Sequence, residues 1–222
     1  MAEPSIDAAG TSSPLRRRPL PARLLFGGAL LAIIVVAALG SAWFAPFPPD
    51  EMHIGSRLAP PSLTYLAGTD EYGRDVLSRT LVGSQLSLIL GFSATLVSLL
   101  VGVPIGLCAG YYRGLADDLM MRALDVMMSF PPLMLVLLIL AVTPPSLLKT
   151  AIAIGVLFVP SVARVTRSVT LDLMTGDFIT AAKARGEKTW YVLARELLPN
   201  AWPAIVVEAS LRVAFAILLA PR

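Results

Sequence analysis

The chain has 222 residues, 56% of them hydrophobic and only 15% charged, with a mean hydropathy of +0.74 and a formal net charge of +3. A soluble domain carries about 25% charged residues, so this composition excludes a soluble protein and predicts an integral membrane one. The small net charge, with its arginines flanking an apolar run, speaks against a nucleic-acid binder.

The leader, residues 1–23, is rich in Ala, Ser, Pro and Arg without apolar periodicity. It is expected to be a disordered, basic, cytoplasmic segment whose Arg16, Arg17, Arg18 and Arg23 lie near anionic lipid headgroups. Residues 24–45 carry no charge, and about 20 apolar residues cross a hydrocarbon core of roughly 30 Å. A cleaved signal peptide has an apolar region of only about 7 to 15 residues, so the run predicts an uncleaved first transmembrane helix. Residues 46–80 then form an extracytoplasmic segment, and residues 81–222 a membrane-embedded core.

Within that core, Leu81 to Tyr112 is uncharged and predicts a tilted second span centred on Ser87 to Ala109. Val126 to Leu148 predicts a third span, kinked or late-starting because Pro131 and Pro132 lie near its beginning. A fourth runs from Thr150 through Pro160 to Val169, with Arg164 and Arg167 expected to snorkel to the inner interface. The last, Ala201 to Ala220, contains Glu208 and Arg212, which share a helical face four residues apart. Either that pair is buried against neighbouring helices or it lines a polar pathway. The expected fold is therefore an all-α integral membrane protein, a bundle of about five transmembrane helices.

Orientation follows from the basic residues. The leader arginines place the amino terminus in the cytoplasm, which puts Pro46 to Thr80 outside and Arg164 to Asn200 inside. The inner segment carries Arg164, Arg167, Lys183, Arg185, Lys188 and Arg195, whereas the outer one sets Arg57, Arg74 and Arg79 against Asp50, Glu51, Asp70, Glu71 and Asp75.

No soluble-type catalytic or metal site is legible. Cys108 is the single cysteine and His53 the single histidine, which removes thiolate clusters and paired-histidine metal sites. Gly186-Glu187-Lys188-Thr189 imitates the end of a phosphate-binding loop, but Glu187 interrupts it and residue 181 is Ala where the first glycine belongs. The chain is expected not to be an enzyme and to hold no cofactor of its own.

The most distinctive segment is Asp177 to Asn200, polar and basic between apolar runs. Ala181-Ala182 with Gly186, followed by Leu197-Leu198-Pro199-Asn200, resembles the EAA signature of bacterial ABC-importer permeases. Gly68-Thr69-Asp70-Glu71-Tyr72-Gly73-Arg74-Asp75-Val76-Leu77-Ser78-Arg79 is similar to a segment of the dipeptide, oligopeptide and nickel importer permeases of the DppC and OppC type. Gly110-Tyr111-Tyr112-Arg113-Gly114, Asp117, Met121-Arg122, Asp125 and Phe130-Pro131 continue the resemblance in order.

The resemblance implies a type I importer permease with a MetI-like fold, multi-pass in the bacterial inner membrane. Its partners would be a homologous second permease, two ATP-binding subunits carrying ATP and Mg, an extracytoplasmic solute-binding protein, and membrane lipid. It also implies that residues 177–200 form two short cytoplasmic helices that couple ATP-driven closure of the ATPases to rocking of the spans. The coupling residues are Thr180, Ala181, Ala182, Lys183, Arg185, Gly186, Leu198 and Pro199, with Gly186 at a sharp turn and Pro199 stopping the second helix. Lys183 and Arg185 either meet acidic groups on the ATPase or simply satisfy the positive-inside bias.

Glu208 and Arg212 are the pathway candidates. Asp70, Arg74, Asp75 and Arg79 belong either to an amphipathic entry to the second span or a docking surface for the binding protein, or to a structural loop with these charges paired on a helical face. The family pattern departs at Thr180, where a glutamate is expected, and after Ala216-Ile217-Leu218-Leu219-Ala220-Pro221-Arg222, where a further helix is expected. That second departure predicts a core lacking its final transmembrane helix, and raises a truncated non-transporting remnant or a structural membrane subunit as the alternative. A secondary transporter is disfavoured by the lack of an internal repeat. Among solutes, peptides rank ahead of nickel chelates, opines and glutathione.

Overall fold

The computed structural model describes residues 22–52, 54–142 and 146–219. The leader before Ala22, His53, part of the connection before the fourth predicted span and the last three residues lie outside the described residues.

The regular secondary structure of the described residues is helical, apart from one isolated antiparallel bridge between Thr69 and Asp75, and their stretch between Phe44 and Val76 is irregular. In order it runs α1 (Ala22–Leu39), α2 (Ser41–Phe44), α3 (Val76–Tyr112), α4 (Gly114–Met128), α5 (Pro132–Val142), α6 (Leu147–Leu173), α7 (Asp177–Ala184), α8 (Thr189–Tyr191), a π-helical stretch Val192–Leu197, and α9 (Leu198–Leu219). Among the described residues three helices are long and apolar enough to cross a membrane: Val76–Tyr112, Leu147–Leu173 and the continuous Thr189–Leu219. The other two expected spans correspond to shorter apolar helices. Residues Leu25–Leu39 form one. The 11 residues of α5 form the other, about 16 Å long at 1.5 Å per residue.

The expected third span is divided because α4 continues through Asp125 to Met128 and Phe130-Pro131-Pro132 interrupts the ladder before α5 begins. The second span starts earlier than its uncharged run. Asp75 precedes α3 and accepts from the Ser78 backbone N–H at 2.8 Å and from Ser78 Oγ at 2.7 Å, satisfying groups a bare helix start leaves open.

Helices α3 and α6 form the centre, and glycine sets their spacing. A Cβ added at Gly106 would lie 2.5 Å from the Ala163 carbonyl oxygen, and one added at Gly155 would lie 2.7 Å from that of Ala94. Contacts that close require glycine. Buried hydroxyls along this seam are satisfied within their own helices: Thr170 Oγ1 donates to Thr166 O at 2.7 Å and Thr95 Oγ1 to Gly91 O at 2.8 Å.

At one end of the seam, Val103, Leu107 and Val162 pack with Ile179, Ala182, Val192, Leu197, Ala201 and Ile205. The polar segment is therefore anchored in the hydrophobic core. At the other end Leu90, Ala94, Ile154 and Phe158 pack with Val136 of α5 and Ala216 of α9.

Candidate functional site

The segment singled out in the sequence folds as an elbow. Helix α7 turns Ile179 and Ala182 inward and leaves Phe178, Thr180 and Ala181 exposed. It ends as a glycine-capped helix should: the Gly186 N–H donates to Lys183 O at 3.0 Å and the Glu187 N–H to Ala182 O at 3.2 Å. Gly186 itself has φ of +75°, the left-handed region that costs other residues roughly 1–2 kcal/mol. Lys188 is extended, and α8 begins at Thr189 with Trp190 pointing outward.

The second arm differs from the expected short helix. Pro199 lies in the first turn of α9 and does not stop it, so the arm runs continuously into the last span. The π-helical stretch ends immediately before it, with the Leu198 N–H reaching back to Leu193 O. Proline lacks the next N–H, and a register change in the ladder beside it accommodates that loss.

Two basic residues of the elbow, Lys183 and Arg185, are engaged by the chain itself. Lys183 Nζ sits 5.2 Å from the centroid of the Tyr111 ring, a cation over an aromatic face. Arg185 lies 3.5 Å from both Glu187 and Glu196, bracing the turn against the second arm. The structure thus brings together Ala182, Gly186 and Leu198 as the scaffold of the elbow. Thr180, Ala181, Lys183, Arg185 and Pro199 lie on its surface.

Two ion pairs that sequence reasoning missed tie α4 to α6. Arg167 Nε and Nη2 each lie 2.5 Å from Asp117 oxygens, and Arg164 pairs with Asp125. Asp117 is buried. Arg164 and Arg167, expected at the inner interface, are thus each paired with a carboxylate of α4. The available signal was the Asp117 and Asp125 spacing of eight residues, two helical turns on one face.

The expected pair within the last span is present. Arg212 Nε donates to Glu208 Oε1 at 2.6 Å, and its Cζ lies 5.4 Å from the Phe158 centroid and 5.5 Å from that of Phe215. Glu208 is buried, so the pair faces the α6 side.

In the segment leading into α3, Arg74 and Arg79 both pair with Asp70 around a loop and not along one helical face. Asp70 accepts from the backbone N–H groups of Tyr72 at 2.8 Å and Arg74 at 3.0 Å, from Arg74 Nε at 2.8 Å, and from Arg79 Nη1 at 3.2 Å. Burial pushes the Asp70 carboxyl up, but the two backbone donors and the Arg74 guanidinium more than reverse this and hold it below the usual carboxylate value. Asp75 is 1% exposed and serves as the cap of α3; its Oδ1 is buried without a hydrogen-bond partner among the described residues. Arg74 also lies 4.6 Å from the Tyr72 centroid.

The model of the family described as "Binding-protein-dependent transport system inner membrane component" matches residues 102–221. The chain is 37% identical over 199 residues to the di/tripeptide transport system permease protein DppC of Pseudomonas aeruginosa, covering 86% of this chain and 66% of that one. It is 32% identical over 200 residues to the dipeptide transport system permease protein DppC of Haemophilus influenzae, covering 87% and 68%. It is also 32% identical over 194 residues to the glutathione transport system permease protein GsiD of Pectobacterium atrosepticum, covering 87% and 64%. The chain thus spans about two thirds of the length of the curated relatives it matches.

Proposed function

Because the chain belongs to the family of binding-protein-dependent transport system inner membrane components, we propose that it is the membrane-spanning permease subunit of an ATP-driven importer for peptides or similar small solutes. It acts in the bacterial inner membrane with its amino terminus in the cytoplasm. Its partners in this reading are a second permease, two ATP-binding subunits that supply ATP and Mg, and an extracytoplasmic solute-binding protein. The names of its relatives, di/tripeptide, dipeptide and glutathione permeases, support short peptides as the first solutes to consider.

The observation that carries the proposal is the elbow from Asp177 to Leu198. Its inner face is part of the same apolar cluster as α3, α6 and α9, while Phe178, Thr180, Ala181 and Trp190 remain exposed on its outer side. A load applied to that outer side reaches the spans through packed side chains. The continuous helix from Thr189 to Leu219 extends the path directly into the last span. Glu208 and Arg212 line the pathway in this reading, and Asp70, Arg74 and Arg79 offer the outer charged surface to the binding protein, with Asp75 supporting it from within.

The test is assembly and transport together. The chain is co-purified with the ATPase subunits, and ATP-dependent dipeptide uptake is measured in proteoliposomes containing the whole importer. Retention of the ATPase by the unaltered chain and its loss with Phe178→Asp and Trp190→Asp supports the coupling role. Full uptake with both elbow substitutions removes it.

A further inference from the structure

Arg212 occupies an unusual position for a charge. It lies fourteen residues after Leu198, about 21 Å along α9, and seven before Leu219, about 10 Å from that end. Its side chain does not run toward the nearer helix end. It folds back one turn to Glu208, lies between Phe158 and Phe215, and is 18% exposed. Among the described residues its one hydrogen bond is the one from Nε. The terminal guanidinium nitrogens, the part of the fork that suits a planar carboxylate, have no acceptor among them.

Those nitrogens belong to a residue that borders a cavity of about 400 Å³, within the size range of small-molecule sites. Its walls are apolar, with Met127 and Phe130 from the α4–α5 corner and Phe158 and Pro160 from α6. Among the described residues Ser161 is the other polar side chain of the lining, and Arg212 its one charged group. Such a site recognises a molecule with an apolar body and one anionic end.

We propose that this cavity is a transit subsite for a carboxylate-bearing solute, in which Arg212 takes the carboxylate and the Phe158 side of the cavity takes the adjoining apolar group. The proposal rests on the permease reading and adds the chemical group recognised. For a short peptide that group is the free carboxyl terminus. Glu208 gives the subsite its second property. With Glu208 bound, the arginine is already neutralised, so an incoming carboxylate is held by hydrogen bonds against the repulsion of a neighbouring anion. Binding is then weak enough for release, as passage through a membrane requires.

The test uses the full chain in phosphatidylcholine nanodiscs with the dipeptide alanyl-photo-leucine, which carries a diazirine, and with the C-terminal amide of the same dipeptide. The expected result is light-dependent labelling at Met127 and Phe158 by the acid, about tenfold weaker labelling by the amide, and about tenfold loss in Arg212→Gln, since a charge-assisted hydrogen bond contributes an energy of that order. Glu208→Gln is expected to strengthen labelling by the acid, an effect that a purely structural pair would not produce. Ser161→Phe leaves the ion pair intact and is expected to abolish labelling by filling the cavity, which covers the case in which Arg212→Gln fails to fold.

Equal labelling by acid and amide, labelling confined to other segments, or no gain in Glu208→Gln overturns the subsite. So does complete displacement by equimolar cardiolipin, which would make the occupant a lipid headgroup. ATP-driven uptake by the assembled importer separates the two readings. Uptake without labelling removes the subsite and leaves the permease, whereas labelling without any ATP-dependent uptake removes the permease and leaves the subsite.

Discussion

Arg167 of α6 holds Asp117 of α4 through two parallel contacts, Nε to Oδ1 and Nη2 to Oδ2, each 2.5 Å. The two residues stand 50 positions apart in the chain, and the pair fixes the helix before α5 to the helix after it. Removing one partner leaves a charge where burial is costly, so Asp117→Asn is expected to destabilise the protein by about 2 kcal/mol, below the range for fully buried pairs because Arg167 is partly exposed. Thermal unfolding in detergent measures this. Arg167→Lys, which keeps the charge but loses the fork, should recover only part of the loss.

At Gly106 the space for a side chain is occupied by the backbone of α6, 2.5 Å from where a Cβ would lie. Gly106→Ala is expected to cost about 1–3 kcal/mol through forced separation of the helices. Gly83→Ala, where nothing lies within 4 Å, serves as the control and should change stability little. Unchanged unfolding of the Gly106 variant would show that the seam yields.

Gly186 tests conformation alone, because its φ is +75° and a Cβ there would meet nothing within 4 Å. Gly186→Ala is expected to lose about 1 kcal/mol, and Gly186→Asn distinctly less, since asparagine tolerates the left-handed region. Equal effects of the two would place the cost elsewhere. The same variants in the co-purification assay report whether the turn's geometry matters for ATPase retention.

The Asp70 loop carries a pH dependence of defined sign. Its carboxyl lies below the ordinary value in the folded protein, so its contribution is fully present above the unfolded carboxylate pKa of about 3.9. It is lost as pH falls through the lowered folded value. The thermal midpoint should therefore fall on acidification below about pH 4, and Asp70→Asn should remove that part of the dependence while lowering stability at neutral pH. A pH profile of Asp70→Asn parallel to that of the unaltered protein would assign the dependence to other carboxylates.

The sequence made the long apolar helices, the Gly186 turn and the Glu208–Arg212 pair legible, because each depends on neighbours within a turn or two. The α4–α6 ion pairs were not legible, since nothing local tells Arg167 that its acceptor lies 50 residues earlier. The division at Phe130-Pro131-Pro132 was half legible: the prolines announced a disturbance, but not that Asp125 would remain helical on the near side. Pro199 misled because a proline read as a terminator sits beside a π-helical stretch that lets the helix continue. For the candidate site, composition located the elbow, whereas the aromatic seat of Lys183 on Tyr111 required the fold.

The glycines of α3 that face α6 recur at residues 102, 106 and 110, against Val162, Thr166 and Thr170. Both rows repeat every four residues, about 6 Å along each axis. Sliding one helix past the other by less than that distance drives a side chain into a backbone that has no room for it, and a matching notch returns only after a full repeat. The contact therefore behaves as a toothed rack. Relative travel of these two helices is blocked for displacements shorter than about 6 Å, so small movements fall to the looser joints around them.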